Sequence, residues 1–204
     1  MICANGAIIY DCAQDHVRVH QTISPLHSRA ILADLRGRSR NILSFHLSDY
    51  YCMVHDELVS RWTDLYATPP RYVGDYSDRL QHAITKMEVF LEDGSAWFQP
   101  TADMQWQSSV NVYAGPGYVE IVPRTASKWL ALQALLAQQG IRPDHTAAFG
   151  DSDNDLEMLT SVGIGVAMGN APARIRSRVQ SVALSNEDHG VARKINEWLE
   201  GACR

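Results

Sequence analysis

Hydrophobic positions change their rhythm once along this chain, near residue 120. Upstream, short apolar runs alternate with modest amphipathic stretches. Residues 8–10 and 17–23 read as two strands joined by a polar turn over 11–16. Ser24-Pro25 opens a helix over 26–35, with Pro in the first turn and Gly37 past the end. Residues 41–47 and 50–55 pattern as a hairpin. Residues 57–66 pattern as a helix with Leu58, Trp62 and Leu65 on one side, broken by Pro69-Pro70. Residues 86–91 and 110–113 are further strand candidates, followed by a turn at Gly115-Pro116-Gly117. This is the pattern of a small α+β module, packed by Tyr50, Tyr51, Trp62, Tyr72, Trp97 and Trp106.

Downstream the pattern becomes strand–helix alternation. A strand at 118–122 precedes a helix over 128–139, which Ser127 can cap and Gly140 can stop. Its apolar stripe is Trp129, Leu132, Leu135 and Leu136. A strand at 145–149, Gly150 and a helix over 153–161 follow, then a strand at 164–168 and a helix from Pro172. A strand at 181–184 and a helix over 191–199 close the chain. Repeated β-α-β units of this length imply a parallel sheet with helices on its faces.

The 204 residues suffice for one generous domain or two small ones, and 46% hydrophobic with 20% charged is an ordinary core-forming composition. A net charge of −5 argues against a nucleic-acid partner, since phosphate backbones are held by clustered Lys and Arg. The Arg-rich stretches at 36–40 and 174–178 read as solvated faces or loops. No apolar run approaches the ~20 residues needed to cross a bilayer, so no membrane partner is expected. Cys3, Cys12, Cys52 and Cys203 are scattered without Cys-x-x-Cys spacing, which fits a reducing, cytoplasmic setting. His16 and His20 have the spacing of a zinc helix but sit in a strand pattern, with no Glu after the first His.

Chemistry concentrates where strands end. Ligands of parallel sheets gather at the carboxyl ends of the strands, and Gly150-Asp151-Ser152-Asp153-Asn154-Asp155 falls at such an end. Asp151 and Asp155 are four apart at a helix start, so both carboxylates can lie on one side. Two hard oxygen donors beside a helix N-terminus suit Mg2+ with a phosphate next to it, whereas a lone pair of acids would only cap the helix. Lys128 starts its own helix beside another strand end, where an ammonium could neutralise a phosphate oxygen and a carboxylate together. Gly169-Asn170-Ala171 reads mainly as a tight turn with an Asn helix cap.

The order strand, Ser127-Lys128, helix, Gly150–Asp155, then Val166-Ala167-Met168-Gly169-Asn170-Ala171, resembles the haloacid-dehalogenase (HAD) superfamily of phosphatases, in its Cof-type branch with a subclass IIB cap. Ser127-Lys128 matches that family's third motif and Gly150–Asp155 its fourth. The segment from Ile2 to Ala7 is similar to the one leading into the cap, and Asn186-Glu187-Asp188-His189-Gly190-Val191-Ala192 matches the usual close. Trp129 departs from the Gly common at its position. The resemblance implies an α/β fold: a HAD-like Rossmannoid core at 1–9 and 120–204 with an inserted α+β cap at 10–119. It further implies Mg2+-dependent hydrolysis of a small phosphorylated metabolite. In that scheme Lys128, Asp151 and Asp155 are catalytic, Asp151 and Asp155 serve the metal, and Lys128, Asn154 and Asn5 contact phosphate.

No Asp-x-Asp-Gly occurs in the sequence. In the family the first Asp of that motif attacks phosphorus and the second acts as acid and base. Asn154-Asp155 in place of Gly-Thr speaks against Asp151 as the nucleophile. The expectation is an N-terminally truncated or late-start phosphatase lacking the first core strands, with an open core edge that could pair with another copy. The competing expectation is a non-catalytic module that binds a phosphorylated ligand or a partner chain.

Overall fold

A computed structural model describes residues 1–47, 49–92, 104, 106–110 and 117–202. The chain forms two compact units, Met1–Ala126 and Ser127–Arg204. In the first, β1 (Ile2–Cys3), β2 (Ile8–Asp11) and β3 (His16–His20) make an antiparallel sheet in that order. Helix α1 (Pro25–Leu35) starts where the Ser24 hydroxyl accepts the His27 N–H, with Pro25 at its first position. Next come β4 (Ser39–His46), β5 (Asp49–Cys52), α2 (Glu57–Tyr66), β6 (Tyr72–Val73), β7 (Lys86–Leu91), β8 (Trp106–Val110) and β9 (Tyr118–Pro123). Their strands form one six-stranded sheet ordered β6-β5-β4-β7-β9-β8.

Period-two alternation sorts the sheet's two faces. Ile42, Met87, Val89, Val119 and Ile121 pack with Ile31, Leu32 and Leu35 of α1 on one side. Leu43, Phe90 and Tyr118 pack with Tyr50, Cys52 and Val59 on the other. Lys86, Glu88 and Glu120 share that second face by register, and Glu88 stands directly opposite Glu120. The Lys86 ammonium reaches both carboxylates, at 2.5 Å from Glu88 and 3.3 Å from Glu120, and Tyr118 donates to Glu120. Burial raises the Glu88 carboxyl above its ordinary range although Lys86 opposes it. Burial alone would lower Lys86, but the two glutamates outweigh it and hold the ammonium above its usual value.

In the second unit, α3 (Lys128–Gln139) leads to β10 (Ala147–Gly150), α4 (Leu156–Ser161), β11 (Ile164–Ala167), α5 (Ala173–Arg176), β12 (Ser181–Val182) and α6 (Gly190–Ala202). Strands β10-β11-β12 are parallel, as the β-α-β rhythm predicts, but the strand at 118–122 that the rhythm grouped with them is β9, which pairs antiparallel with β7 and β8 in the six-stranded sheet. Ala148, Ala167, Leu159 and Ile175 pack with Trp129 and Leu132 of α3, while Phe149 meets Trp198 of α6 with the rings tilted by 40°. Gly165 fixes the spacing of α4 against the sheet, because a Cβ there would stand 1.9 Å from the Leu159 carbonyl oxygen.

Several boundaries differ from the sequence reading. The strand expected at 110–113 is β8, four residues earlier, and positions 111–113 lie outside the described residues. So do Trp97, Gly115, Pro116 and Cys203. The helix expected over 153–161 begins as a 3-10 turn at Asp153–Asp155 and becomes α-helical only at Leu156. The strand beginning at 17 ends at His20, after which Ile23 makes a single bridge to Ile84. His16 and His20 do share a strand, and no three His, Cys, Asp or Glu side chains cluster for a metal among the described residues. Within those residues no helix is long and apolar enough to cross a membrane.

Candidate functional site

Strand β10 ends at Gly150 because Asp155 comes up beneath it. A Cβ on residue 150 would stand 2.5 Å from the Asp155 Cβ and 2.9 Å from its Oδ2. The loop that follows closes as a capping box between Ser152 and Asp155. Asp155 is buried, and both its oxygens are taken by protein donors. Oδ2 accepts the backbone N–H groups of Asp151 (3.0 Å) and Ser152 (3.1 Å), and Oδ1 accepts the Lys128 ammonium at 2.6 Å. Burial pushes the Asp155 carboxyl up, but Lys128 and the two N–H groups outweigh it and hold it below the ordinary aspartate range.

Lys128 is aimed by its own helix start. The Ser127 hydroxyl accepts the Trp129 and Leu130 N–H groups, fixing the first turn of α3, and donates to Glu157 of α4 at 2.5 Å. The Lys128 ammonium then also donates to Asn154 Oδ1 at 3.2 Å, an oxygen that Ser152 Oγ contacts as well. Among the described residues, two of its three protons are thus engaged. Asp151 projects from the carboxyl end of β10 with its Oδ2 accepting the Asn170 side-chain amide at 3.0 Å. Its Oδ1 takes no hydrogen bond among the described residues. Asp153 turns outward to a bidentate pair with Arg174 at 3.0 and 2.6 Å.

Lys128, Asp151, Asn154 and Asp155 therefore meet in one cluster. Asn5, the remaining candidate, belongs to the first unit. There it adopts a left-handed φ of 55° between Ala4 and Gly6, also at positive φ, and donates to Glu120 at 3.2 Å. Asn170 was read as a helix cap, yet α5 is capped at Pro172 without any side-chain bond, and the Asn170 amide goes to Asp151 instead. Nothing in the Gly-Asn-Ala turn signals that reach. The charged Lys86–Glu88–Glu120 cluster was not singled out either, although alternation in 86–91 and 118–122 puts those three among inward positions.

A parallel sheet thus carries an acidic loop at one strand's carboxyl end, with a lysine held against it. The model for haloacid dehalogenase-like hydrolases matches residues 1–195, and the chain belongs to that family. The phosphatase YwpJ of Bacillus subtilis is 48% identical, with 98% of this chain and 79% of that protein covered. The 5-amino-6-(5-phospho-D-ribitylamino)uracil phosphatase YitU of Bacillus subtilis is 29% identical, over 96% of this chain and 74% of YitU. The HAD subclass IIB sugar phosphatase BT4131 superimposes with a TM-score of 0.76 at 17% identity, covering 95% and 73% of the two chains. The fold is that of the subclass IIB, Cof-type phosphatases.

Proposed function

We propose that this chain carries the phosphate- and Mg2+-holding residues of a Cof-type phosphatase acting on a small phosphorylated metabolite. A phosphorylated sugar or sugar alcohol is the class suggested by the substrates in the names of YitU and BT4131. The observation that carries the reading is the Lys128 ammonium held 2.6 Å from Asp155, the carboxylate that also accepts the Asp151 N–H, while Asp151 Oδ1 takes no hydrogen bond among the described residues.

The donor set fits Mg2+. That ion binds through one or two carboxylates and fills its remaining positions with water and substrate phosphate, so one open aspartate oxygen is a sufficient protein foothold. Bound there, the ion would supply positive charge to the phosphoryl oxygens. Asp151 is the direct ligand in this reading. Asp155, its oxygens occupied, acts behind it by orienting Lys128 and the loop. Lys128 meets a phosphoryl oxygen with its third N–H, and Asn154 steadies the ammonium from the other side. Residues 10–119 are read as the cap that selects the substrate, and the setting as cytoplasmic.

None of these four side chains attacks phosphorus in this scheme, and the sequence holds no Asp-x-Asp-Gly. The chain should therefore bind inorganic phosphate in a Mg2+-dependent manner while releasing phosphate from a generic aryl phosphate at close to the uncatalysed rate. Asp151→Asn should weaken the Mg2+-dependent binding by roughly tenfold or more. Phosphate binding indifferent to both Mg2+ and Asp151→Asn would sink the reading. Turnover abolished by Asp151→Asn would instead reveal a nucleophile within these residues.

A further inference from the structure

We infer that Asn170 is a positioning residue that decides which oxygen of Asp151 is presented to a cation. The inference rests on the proposed cation role of Asp151 and concerns how that role is built.

Its starting point is Gly169. A Cβ there would stand 2.8 Å from the Ser185 nitrogen and 3.0 Å from the Ala183 carbonyl oxygen, so only glycine lets the turn after β11 lie against the chain leaving β12. The Gly169 N–H donates to the Leu184 carbonyl at 3.1 Å and locks that approach. The next residue is thereby brought to the Asn186 backbone, whose N–H donates to Asn170 Oδ1 at 3.1 Å. The Asn186 loop is itself closed, with Ser185 Oγ donating to Asp188 and the Gly190 N–H to the Ser185 carbonyl.

A primary amide has one acceptor and one donor end. Turning the Asn170 amide over would set its NH2 against the Asn186 N–H and its oxygen against the Asp151 carboxylate. Both contacts would be repulsive, so the backbone of residue 186 dictates the orientation. With the donor end committed to Asp151 Oδ2 at 3.0 Å, Oδ1 is the oxygen left for a ligand. The carboxylate is thus offered through a single oxygen, as suits Mg2+.

Two variants separate positioning from simple structural support when the full chain is titrated with Mg2+ alone and followed by isothermal calorimetry and thermal unfolding. Asn170→Ala removes the amide, and Mg2+ affinity should fall about 10- to 100-fold, as for other residues that orient a ligand. Asn170→Asp keeps an acceptor for Asn186 but sets a second carboxylate against Asp151. That variant should melt lower than wild type without Mg2+ and gain more than wild type from adding it. Mg2+ affinity and Mg2+-induced melting shifts equal to those of wild type in both variants would overturn the inference and leave the cation reading standing. A folded wild type that ignores Mg2+ would overturn both.

Discussion

Asp155→Asn, a change of one atom, is expected to cost about 3 kcal/mol of stability, the scale for breaking a buried charged pair. Asp155 is an acceptor on both oxygens, with Lys128 on one and the Asp151 and Ser152 N–H groups on the other. Asparagine has only one acceptor end. Whichever way its amide turns, an NH2 must face either the ammonium or the pair of backbone N–H groups. Urea unfolding of the variant should show the loss, and Lys128 should lose its fixed position with it. The pH dependence gives a second signature. A carboxyl held below its ordinary range contributes stability that is present above the unfolded value, about 3.9, and is lost as pH falls through the folded one. The gap between wild type and variant should therefore be constant through neutral pH and close only below about pH 4. A variant within about 0.5 kcal/mol of wild type at pH 7 would mean that these bonds are not what holds the loop.

Lys86→Met should be as damaging, in the opposite pH window. In-register Glu88 and Glu120 are like charges facing each other across β7 and β9, an arrangement that destabilises a sheet unless a cation intervenes. Lys86 is that cation, and Glu88 is fully buried with its Oε2 unpartnered among the described residues. Without the ammonium at least one carboxyl must take up a proton to stay folded. We expect a loss of about 3–5 kcal/mol near pH 8, the scale for an uncompensated buried charge. Here the folded pKa is raised, so stability is retained at low pH and lost as pH rises through that value. The deficit should shrink toward pH 5. Adding Glu88→Gln to Lys86→Met should recover part of it at pH 8. A deficit below about 1 kcal/mol that does not vary with pH would refute the assignment.

What could be read from the sequence follows from how local each determinant is. The Ser127 cap, the helix to Gln139 with Gly140 at φ 65°, and the parallel strands after it were legible because caps, apolar stripes and strand spacing act over a few residues. The Lys128–Asp155 meeting was only half legible: Asp155 follows a strand of the parallel sheet, as expected, but the strand before Lys128, β9, pairs antiparallel with β7 and β8. Asn170 was not. Its role depends on Gly169 docking against the backbone at 183–185, a contact that no periodicity encodes. The double use of Asp155 was also hidden, because the spacing of two acids says that they share a side and not what each accepts. Lys86, Glu88 and Glu120 escaped notice because charges inside strands usually face water; alternation groups them on one face, but that the face is buried and that Glu88 meets Glu120 depends on the pairing of β7 with β9.

The contact at Gly165 has a consequence for divergence. There the distance between helix and sheet is set by a glycine hydrogen lying against a main-chain oxygen, not by the shapes of neighbouring side chains. A spacing fixed between backbones is indifferent to most substitutions around it. Sequences can then drift far while the scaffold stays in place. The substitution it forbids is the smallest available, the addition of one methyl group.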